Sequence, residues 1–269
     1  MAGKPPADLQ LAVSQARLRF RDEGAGPALV LIHGWTLDLD MWEPQVRSLE
    51  DSFRLIRFDR RGFGLSSGQP SLAHDIADVR ALCGHLRLDS VAVLGMSQGA
   101  RVAAHLAAES PALVSCVIFD GPPSGILSEG EVGEDEIPAG TYRELVRAGS
   151  IEEFRAAWSC HPLARLHTTH TPTRELLKRM LERYRALDLR ESSSEAPLAA
   201  ARIESIRQPA LVISGELDLD SRTRSADALC RALPLCQRAV VPGAGHLPNL
   251  DNPVAYTALL RPFLQRFAT

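Results

Sequence analysis

The sequence has 269 residues, of which 45% are hydrophobic and 23% are charged, and its formal net charge is −3. This length suits one domain built around a large sheet, and the spread of apolar residues excludes wholesale disorder. The nearly balanced charge, without a basic run along a helix, argues against a nucleic-acid partner. The polar N-terminus and the lack of a long apolar segment predict neither a signal peptide nor contact with a membrane.

The cysteines are scattered and show no CxxC spacing. They are five in number: Cys83, Cys116, Cys160, Cys230 and Cys236. An odd, scattered set argues against a disulfide framework and against a zinc site. We therefore expect a cytoplasmic protein.

The predicted strands start with a short alternating pair, Leu9–Val13 and residues 16–21, which favours an antiparallel hairpin. The following strands are continuous apolar runs, typical of parallel strands that are buried on both faces. These runs are Ala28–Ile32 and residues 91–94, 113–119 and 210–213. Further strands are predicted at residues 53–58 and 237–241.

Helices are predicted between these strands, so that strand and helix alternate. The helical segments are residues 75–86, 98–108 and 222–232, with a closing helix after Pro253. Alternation of this kind predicts an α/β fold with a doubly wound, mostly parallel sheet.

The alternation stops between residues 121 and 207. Residues 125–140 form an acidic, loop-like stretch, and residues 142–189 favour two or three amphipathic helices. We predict a mainly helical cap at 121–207, inserted into a core made of residues 1–120 and 208–269. The acidic patch in this segment is expected to be a solvated flap; it consists of Glu129, Glu131, Glu134, Asp135 and Glu136.

The motif Gly95-Met96-Ser97-Gln98-Gly99 follows an apolar strand and precedes a helix. This is the context that the G-x-S-x-G pattern requires, because a tight strand-to-helix turn presents the serine hydroxyl above the sheet. The flanking glycines admit a strained backbone at the serine. Ser97 is therefore the predicted nucleophile.

A serine nucleophile needs a neighbouring base, and His246 is the candidate. It follows the last predicted strand and precedes the last helix, so its imidazole should reach the same sheet edge as Ser97. Asp218, just after the preceding strand, would orient the imidazole, in the order serine, acid, histidine. Asp120, at the end of an earlier strand, is the alternative acid, and Asp220 is a weaker one.

The segment His33-Gly34-Trp35 follows the first buried strand. Acyl transfer requires N–H donors for the developing oxyanion, and the backbone amides of Trp35 and Gln98 are the candidates. The indole of Trp35 either lines the acyl pocket or packs in the core. Trp158 in the cap either roofs this pocket or packs the cap onto the core.

Two other groups of residues carry weaker signals. Residues 59–66 contain glycines for tight turns and are expected to be chiefly structural. His161, His167 and His170 would suggest a metal site only if His167 and His170 shared a helix face, and no Asp, Glu or Cys lies in ligand spacing. We expect neither a metal nor another cofactor.

Together these motifs resemble the α/β-hydrolase superfamily in its serine-nucleophile branch. The resemblance is carried by residues 33–35, 59–66, 95–99, 215–218 and 243–246. Residues 33–42 and 59–64 are most similar to cofactor-free haloperoxidases and aryl esterases, followed by 3-oxoadipate enol-lactone hydrolases. The resemblance implies an esterase-type hydrolase that acts on a small ester or lactone.

The same residues could serve other functions. A carbon–carbon bond hydrolase of ring-cleavage products or a perhydrolase would use the same nucleophile and base. A ligand receptor on the same fold is the alternative outside enzymes. The sequence does not separate these functions and does not indicate an oligomeric state.

Overall fold

The computed structural model describes residues 7–127, 137–190 and 201–268. Eight strands in these ranges form one sheet in the order β1-β2-β4-β3-β5-β6-β7-β8. The strands are β1 Leu9–Val13, β2 Ala16–Glu23, β3 Ala28–Ile32, β4 Arg54–Phe58, β5 Val91–Met96, β6 Val114–Asp120, β7 Ala210–Gly215 and β8 Cys236–Val241.

The pairing of the strands confirms the predicted mostly parallel sheet. β1 pairs with β2, and β2 with β4, in antiparallel register, whereas the pairs from β4 through β3 to β8 are parallel. Every residue of β3, β5 and β7 is buried, because helices cover both faces of the sheet. The carboxyl ends of these strands meet at one edge, where α/β folds place their ligands.

The helices lie between and after the strands. They are α1 Glu43–Leu49, α2 Leu72–His85, α3 Gln98–Glu109, α4 Ala139–Arg147, α5 Ile151–Cys160, α6 Thr171–Arg183, α7 Leu187–Arg190, α8 Asp220–Ala232, α9 Pro248–Asp251 and α10 Pro253–Phe267. None of the helices in the described ranges is long and apolar enough to span a bilayer.

The sheet separates two hydrophobic clusters, and alternate residues of its strands enter each of them. Leu29 and Leu31 of β3 join the cluster that contains the side chains of α4 to α7 and α10. Val30 and Ile32 join the cluster on the opposite face, with α2, α3 and α8. The period-two alternation of a strand therefore provides both cores from a single apolar run.

The segment between β6 and β7, predicted as the cap, contains four α-helices in its described part, where two or three were expected. The additional helix is the single turn α7, which follows the positive-φ residue Ala186. The acidic patch of residues 129–136 lies outside the described residues. His167 precedes α6 and His170 is the residue before its first turn, so the two do not share a helix face.

The cysteines differ from the expectation in one respect. Cys230 in the last turn of α8 and Cys236 at the start of β8 form a disulfide, with their Cα atoms 5.4 Å apart. The reversal of the chain between this helix and this strand brings the two side chains together, although their spacing matches no common motif. Cys83 and Cys116 are buried free thiols, as an apolar environment suggests, and burial raises the pKa of Cys116 to about 12.

Candidate active site

Ser97 occupies the turn between β5 and α3 in a strained backbone conformation. Its φ is 52° and its ψ is −113°, a region that non-glycine residues rarely adopt and that costs about 1–3 kcal/mol. The amide of Ser97 donates a 2.8 Å hydrogen bond to the carbonyl oxygen of Asp120 on the neighbouring strand. The sheet therefore holds this turn in place, as the motif around Ser97 predicts.

The glycines on either side of Ser97 allow this turn to form. A Cβ atom on Gly95 would lie 2.1 Å from the carbonyl oxygen of Gly99, and one on Gly99 would lie 2.4 Å from that of Ile32. Both clashes are with backbone atoms, which no side-chain rotation can relieve. α3 can therefore approach β3 and β5 closely only because both positions lack a side chain.

Gly95→Ala is expected to lower the free energy of unfolding by about 1–3 kcal/mol or more, because its methyl group would overlap the backbone of Gly99. Gly84→Ala in α2 is the matched control. No atom lies within 4 Å of a Cβ at Gly84, so this variant should be about 0.5–1 kcal/mol more stable than the wild type. Urea unfolding of the two variants measures both effects, and equal stability of Gly95→Ala and the wild type would contradict this packing.

His246 lies in the loop between β8 and α9, with its side chain against Asp218. Its Nδ1 atom is 2.9 Å from Oδ2 of Asp218, and the two side chains are 3% and 1% exposed. Burial raises the pKa of Asp218, but the attraction of His246 and hydrogen bonds from its ring and from the Leu219 amide outweigh burial. The pKa of Asp218 therefore lies below its ordinary value, which keeps this carboxylate ionised beside the ring.

The backbone around His246 is fixed by two further contacts. The amide of Gly245 donates to Oδ2 of Asp251, whose Oδ1 accepts from the amides of His167 and Thr168 in the cap segment. Gly121 lies beneath the imidazole, where a Cβ would be 2.8 Å from Cε1 of His246. The loop is thus held to the cap segment on one side and to the end of β6 on the other.

Ser97 and His246 share the wall of one cavity of about 70 Å³. The structure thus brings Ser97, His246 and, behind His246, Asp218 to the carboxyl edge of the sheet. Trp35, Gln98 and Trp158 also line this cavity. The other described wall residues are Thr36, Leu37, Met96, Arg101, Pro123, Ile137, Leu163, Ala164, Leu177, Arg222 and Leu247.

The two amides predicted as oxyanion donors come from different elements. Trp35 follows β3, and Gln98 is the first residue of α3, where backbone N–H groups have no acceptor within the helix. His33 supports the loop that contains Trp35. Its Nδ1 lies 2.7 Å from the carbonyl oxygen of Gly34, and its Nε2 accepts a hydrogen bond from the Arg60 amide.

The environment of His33 keeps its ring neutral. Burial, reinforced by the charge of Arg60, holds the pKa of His33 well below its ordinary value. The acceptor role of Nε2 places the ring proton on Nδ1, which donates to Gly34. His33 therefore acts as a support for the loop and is not available as a base at neutral pH.

Trp35 and Trp158 both line the cavity, and both also pack the cap segment onto the core. The sequence left these two positions open as alternatives, and each indole occupies both. Nε1 of Trp35 donates a 2.6 Å hydrogen bond to Asp188, which also accepts one from the hydroxyl of Tyr184. Nε1 of Trp158 donates to the hydroxyl of Thr36. The two indole rings meet edge to face, with centroids 4.6 Å apart.

Asp120, the alternative acid, is buried beside this site with a different partner. Its Oδ2 accepts a 3.0 Å hydrogen bond from the hydroxyl of Tyr256, whereas Asp218 contacts the imidazole. Burial raises the pKa of Asp120 well above its ordinary value, and the charge of Asp218 adds to this shift. The folded chain therefore favours the protonated form of Asp120 more than water does. Asp220, the weaker alternative, is exposed at the start of α8.

The raised pKa of Asp120 makes the stability of the fold depend on pH. Below the ordinary pKa of an aspartate its contribution is fully present, and it is lost as the pH rises toward the raised pKa, by at most about 1.4 kcal/mol per pH unit. Asp120→Asn has no proton to lose, so its stability relative to the wild type should increase from pH 5 to pH 8. Urea unfolding at both pH values measures this change, and a constant difference between the variant and the wild type would contradict a raised pKa of Asp120.

The loop of residues 59–66 is built from buried ion pairs. Arg60 pairs with Asp75 and Arg61 with Asp78, each at 2.7 Å. Arg60 also donates to the side-chain oxygen of Gln98 at 3.3 Å. Neither arginine belongs to the described wall of the cavity, so the loop supports the site from outside.

Sequence reasoning did not identify Arg101 and Arg222 as residues of the cavity. For Arg101 a signal was present, because it lies four residues after Ser97 in a helix whose next charged residue is Glu109. Arg101 lies in the first turn of α3 and is therefore close to Ser97 along the chain, although Ser97 itself precedes the helix. Arg222 gave no comparable signal, since its approach to the cavity depends on how α8 packs.

Comparisons with known proteins identify similar chains. The chain is 30% identical over 262 residues to 2-(acetamidomethylene)succinate hydrolase from Mesorhizobium japonicum, covering 90% of this chain and 89% of that protein. It is 45% identical over 85 residues to a putative non-heme chloroperoxidase from Synechocystis, covering 30% of each. A thermophilic esterase from Thermogutta terrifontis superimposes with a TM-score of 0.80 at 25% identity, covering 98% of this chain and 100% of that one.

The relatives include a putative haloperoxidase and an esterase, as the motifs in the sequence suggest. The sequence profile of the alpha/beta hydrolase fold matches residues 27–253, which extend from the turn before β3 to the start of α10. These residues include every part of the site described above. The chain therefore belongs to the α/β-hydrolase superfamily.

Proposed function

We propose that this protein is a serine hydrolase that cleaves a small carboxylic ester or lactone through an acyl-enzyme on Ser97. The observation that carries the proposal is the convergence of a strained serine and a buried His246–Asp218 pair on one cavity. A serine hydroxyl becomes a competent nucleophile only beside such a base. The likeness to an esterase of known structure supports an ester as the substrate.

The mechanism follows from the positions of these groups. Ser97 attacks the carbonyl carbon while His246 takes the hydroxyl proton, and Asp218 stabilises the imidazolium that forms. The amides of Trp35 and Gln98 donate to the oxyanion, and the positive end of the α3 dipole favours this charge. His246 then protonates the leaving alcohol, and water repeats the sequence on the acyl-enzyme. This chemistry requires no metal or other cofactor.

The segment 121–207 is proposed to act as a cap over this site, inserted into a core of residues 1–120 and 208–269. Its support is that Trp158, Leu163 and Leu177 from this segment line the cavity together with Ser97. Side chains of the cap segment would therefore contact the acyl or alcohol part of a substrate. We also propose that the substrate is a small molecule and that the protein is located in the cytoplasm.

The proposal is tested by steady-state hydrolysis of short p-nitrophenyl esters by the purified protein without added metal. Turnover is the expected result, with an initial burst of p-nitrophenol equal in amount to the protein when deacylation of Ser97 is slower than its acylation. Tight binding of a small ligand without turnover would favour a receptor over an esterase. If the protein cleaves carbon–carbon bonds of ring-cleavage products but no ester, it is a carbon–carbon bond hydrolase and not an esterase.

A further inference from the structure

The loop after β3, which carries the Trp35 amide, has a strained backbone. This Trp35 loop comprises residues 33–38. Thr36 in this loop has a φ of 63°, in the left-handed region that non-glycine residues rarely adopt, and it is 1% exposed. A residue in such a conformation keeps it only where the surrounding structure fixes it. The position of the neighbouring Trp35 amide therefore depends on the contacts that hold this loop.

Side chains of the cap segment provide contacts of this kind. Nε1 of Trp158 on α5 donates a 2.8 Å hydrogen bond to the hydroxyl of Thr36. The guanidinium of Arg183 at the end of α6 pairs with the carboxylate of Asp38 at 2.7 Å, and Asp38 is 1% exposed. The cap segment thus holds the Trp35 loop at the strained residue and at the end of the loop.

A third contact comes from Asp188 on α7 and reaches Trp35 itself. Nε1 of Trp35 donates a 2.6 Å hydrogen bond to Oδ2 of Asp188, and the hydroxyl of Tyr184 donates a 2.5 Å bond to Oδ1. The indole and the phenol ring also meet edge to face, with centroids 6.2 Å apart. One carboxyl group therefore fixes both rings, and its replacement by an apolar group would leave both donors unpaired.

The position of an oxyanion donor has a large effect on the rate of acyl transfer. A displacement of about 1 Å in an active site can lower the rate about 100-fold, and loss of one oxyanion donor lowers kcat about 10²- to 10³-fold. The indole that Asp188 holds belongs to the same residue as the candidate donor amide. Asp188 is not among the residues of the described cavity wall, so its effect on the reaction would pass through Trp35.

We propose that Asp188 is a positioning residue, which holds the Trp35 indole and thereby fixes the Trp35 amide where it can donate to the oxyanion. The oxyanion site is then complete only while the cap segment lies on the Trp35 loop. This role goes beyond the cap's contact with substrate, and it rests on the proposed function of Ser97.

The test begins with Asp188→Leu, which removes both acceptor oxygens at similar side-chain volume. Its kcat for p-nitrophenyl acetate, expressed per active site, is expected to fall about 10- to 100-fold while KM changes less than about threefold. Active sites are counted by titration with an organophosphonate. This count separates a slower active site from a smaller fraction of folded protein.

A short-chain trifluoromethyl ketone provides a second readout that a purely structural role of Asp188 would not change. Ser97 adds to the ketone carbon, His246 takes the hydroxyl proton, and the former carbonyl oxygen becomes an oxyanion beside the backbone donors. The inhibition constant Ki of this ketone should rise in Asp188→Leu by about the same factor as kcat falls, because both report stabilisation of the oxyanion.

Asp188→Asn should restore the function that Asp188→Leu loses. The amide oxygen of asparagine can accept from Trp35, and its NH₂ group can donate to the hydroxyl oxygen of Tyr184. Its kcat and Ki should therefore lie within about threefold of the wild type. Asp22→Leu is the matched control, since Asp22 pairs with Arg54 at the start of β4, at the opposite end of the sheet.

Trp35→Phe breaks the same hydrogen bond from the other side and keeps the backbone amide. Its kcat should fall, and its Ki should rise, in the same direction as in Asp188→Leu. Adding Asp188→Leu to Trp35→Phe should lower kcat by less than about twofold more, because the two changes remove one shared contact. If Asp188→Leu does not fold, the Ki of Trp35→Phe decides the inference.

Two outcomes would overturn this role of Asp188. One is a kcat and a Ki that are the same in Asp188→Leu and Asp22→Leu, and the other is full additivity in the double variant. Failure of the proposed function is seen separately, as absence of ester turnover by the wild type. In that case hydrogen exchange of the peptide that spans residues 33–38 decides, because it should be at least about tenfold faster in Asp188→Leu than in Asp22→Leu. Equal exchange would overturn the inference.

Discussion

Ser97→Ala is expected to reduce kcat for p-nitrophenyl acetate by about 10⁴- to 10⁶-fold, because the variant lacks the hydroxyl oxygen on which the acyl-enzyme forms. The residual rate should come from the two backbone donors and from substrate binding. The variant should remain folded and be at least as stable as the wild type, since the serine hydroxyl of this turn faces the cavity rather than the core.

Ser159→Ala is the matched control for this variant. Ser159 is exposed on α5, and its hydroxyl donates only to the carbonyl of Ala156 one turn earlier. Its kcat should equal that of the wild type. A Ser97→Ala protein with a kcat within tenfold of the wild type would show that hydrolysis does not pass through Ser97.

Asp218→Asn is expected to lower kcat by about 10⁴-fold with little change in the fold. An asparagine can donate to Nδ1 of His246, which would favour the wrong tautomer of the ring and remove the charge that stabilises the imidazolium. Steady-state kinetics from pH 6 to pH 9 measures this loss.

Asp120→Asn distinguishes the two buried acids in the same assay. Since Asp120 contacts Tyr256 rather than the imidazole, the amide should retain kcat within about tenfold of the wild type. Equal losses in the two variants, or a larger loss in Asp120→Asn, would contradict the assignment of Asp218 as the partner of His246.

Most of the fold could be predicted because parallel strands that are buried on both faces are continuous apolar runs in the sequence. Ala28–Ile32 is both the predicted and the observed strand. The end of β5 was placed two residues early, since Gly95 and Met96 belong to the strand as well as to the turn motif. Local sequence patterns predict the presence of a helix or strand more accurately than they predict its last residue.

The position of the cap segment on the core could not be predicted in the same way. The hydrogen bond from Trp35 to Asp188 joins residues 153 positions apart, and the bond from Trp158 to Thr36 spans 122. Such contacts depend on how helices pack, which periodicity does not encode. The same reason accounts for Arg222, which enters the cavity wall only because α8 lies against the cavity.

The site itself was partly predictable, because each polar group follows a strand whose end lies at one sheet edge. That rule selected Ser97, His246 and Asp218, and the structure brings the last two into contact. It also selected Asp120, which lies at the same edge but contacts Tyr256 instead of the imidazole. The choice between the two carboxylates required the hydrogen bond to Nδ1, which is a property of the folded loop.

The measurement that tests the central proposal most directly is the site of covalent labelling by a small organophosphonate, located by mass spectrometry of the digested protein. One adduct per chain is expected, on the peptide that contains Ser97, with loss of ester turnover in proportion to labelling. Prior incubation with a hydrolysable ester should slow the labelling. An active protein that is labelled at another residue, or not at all, would contradict the acyl-enzyme mechanism on Ser97.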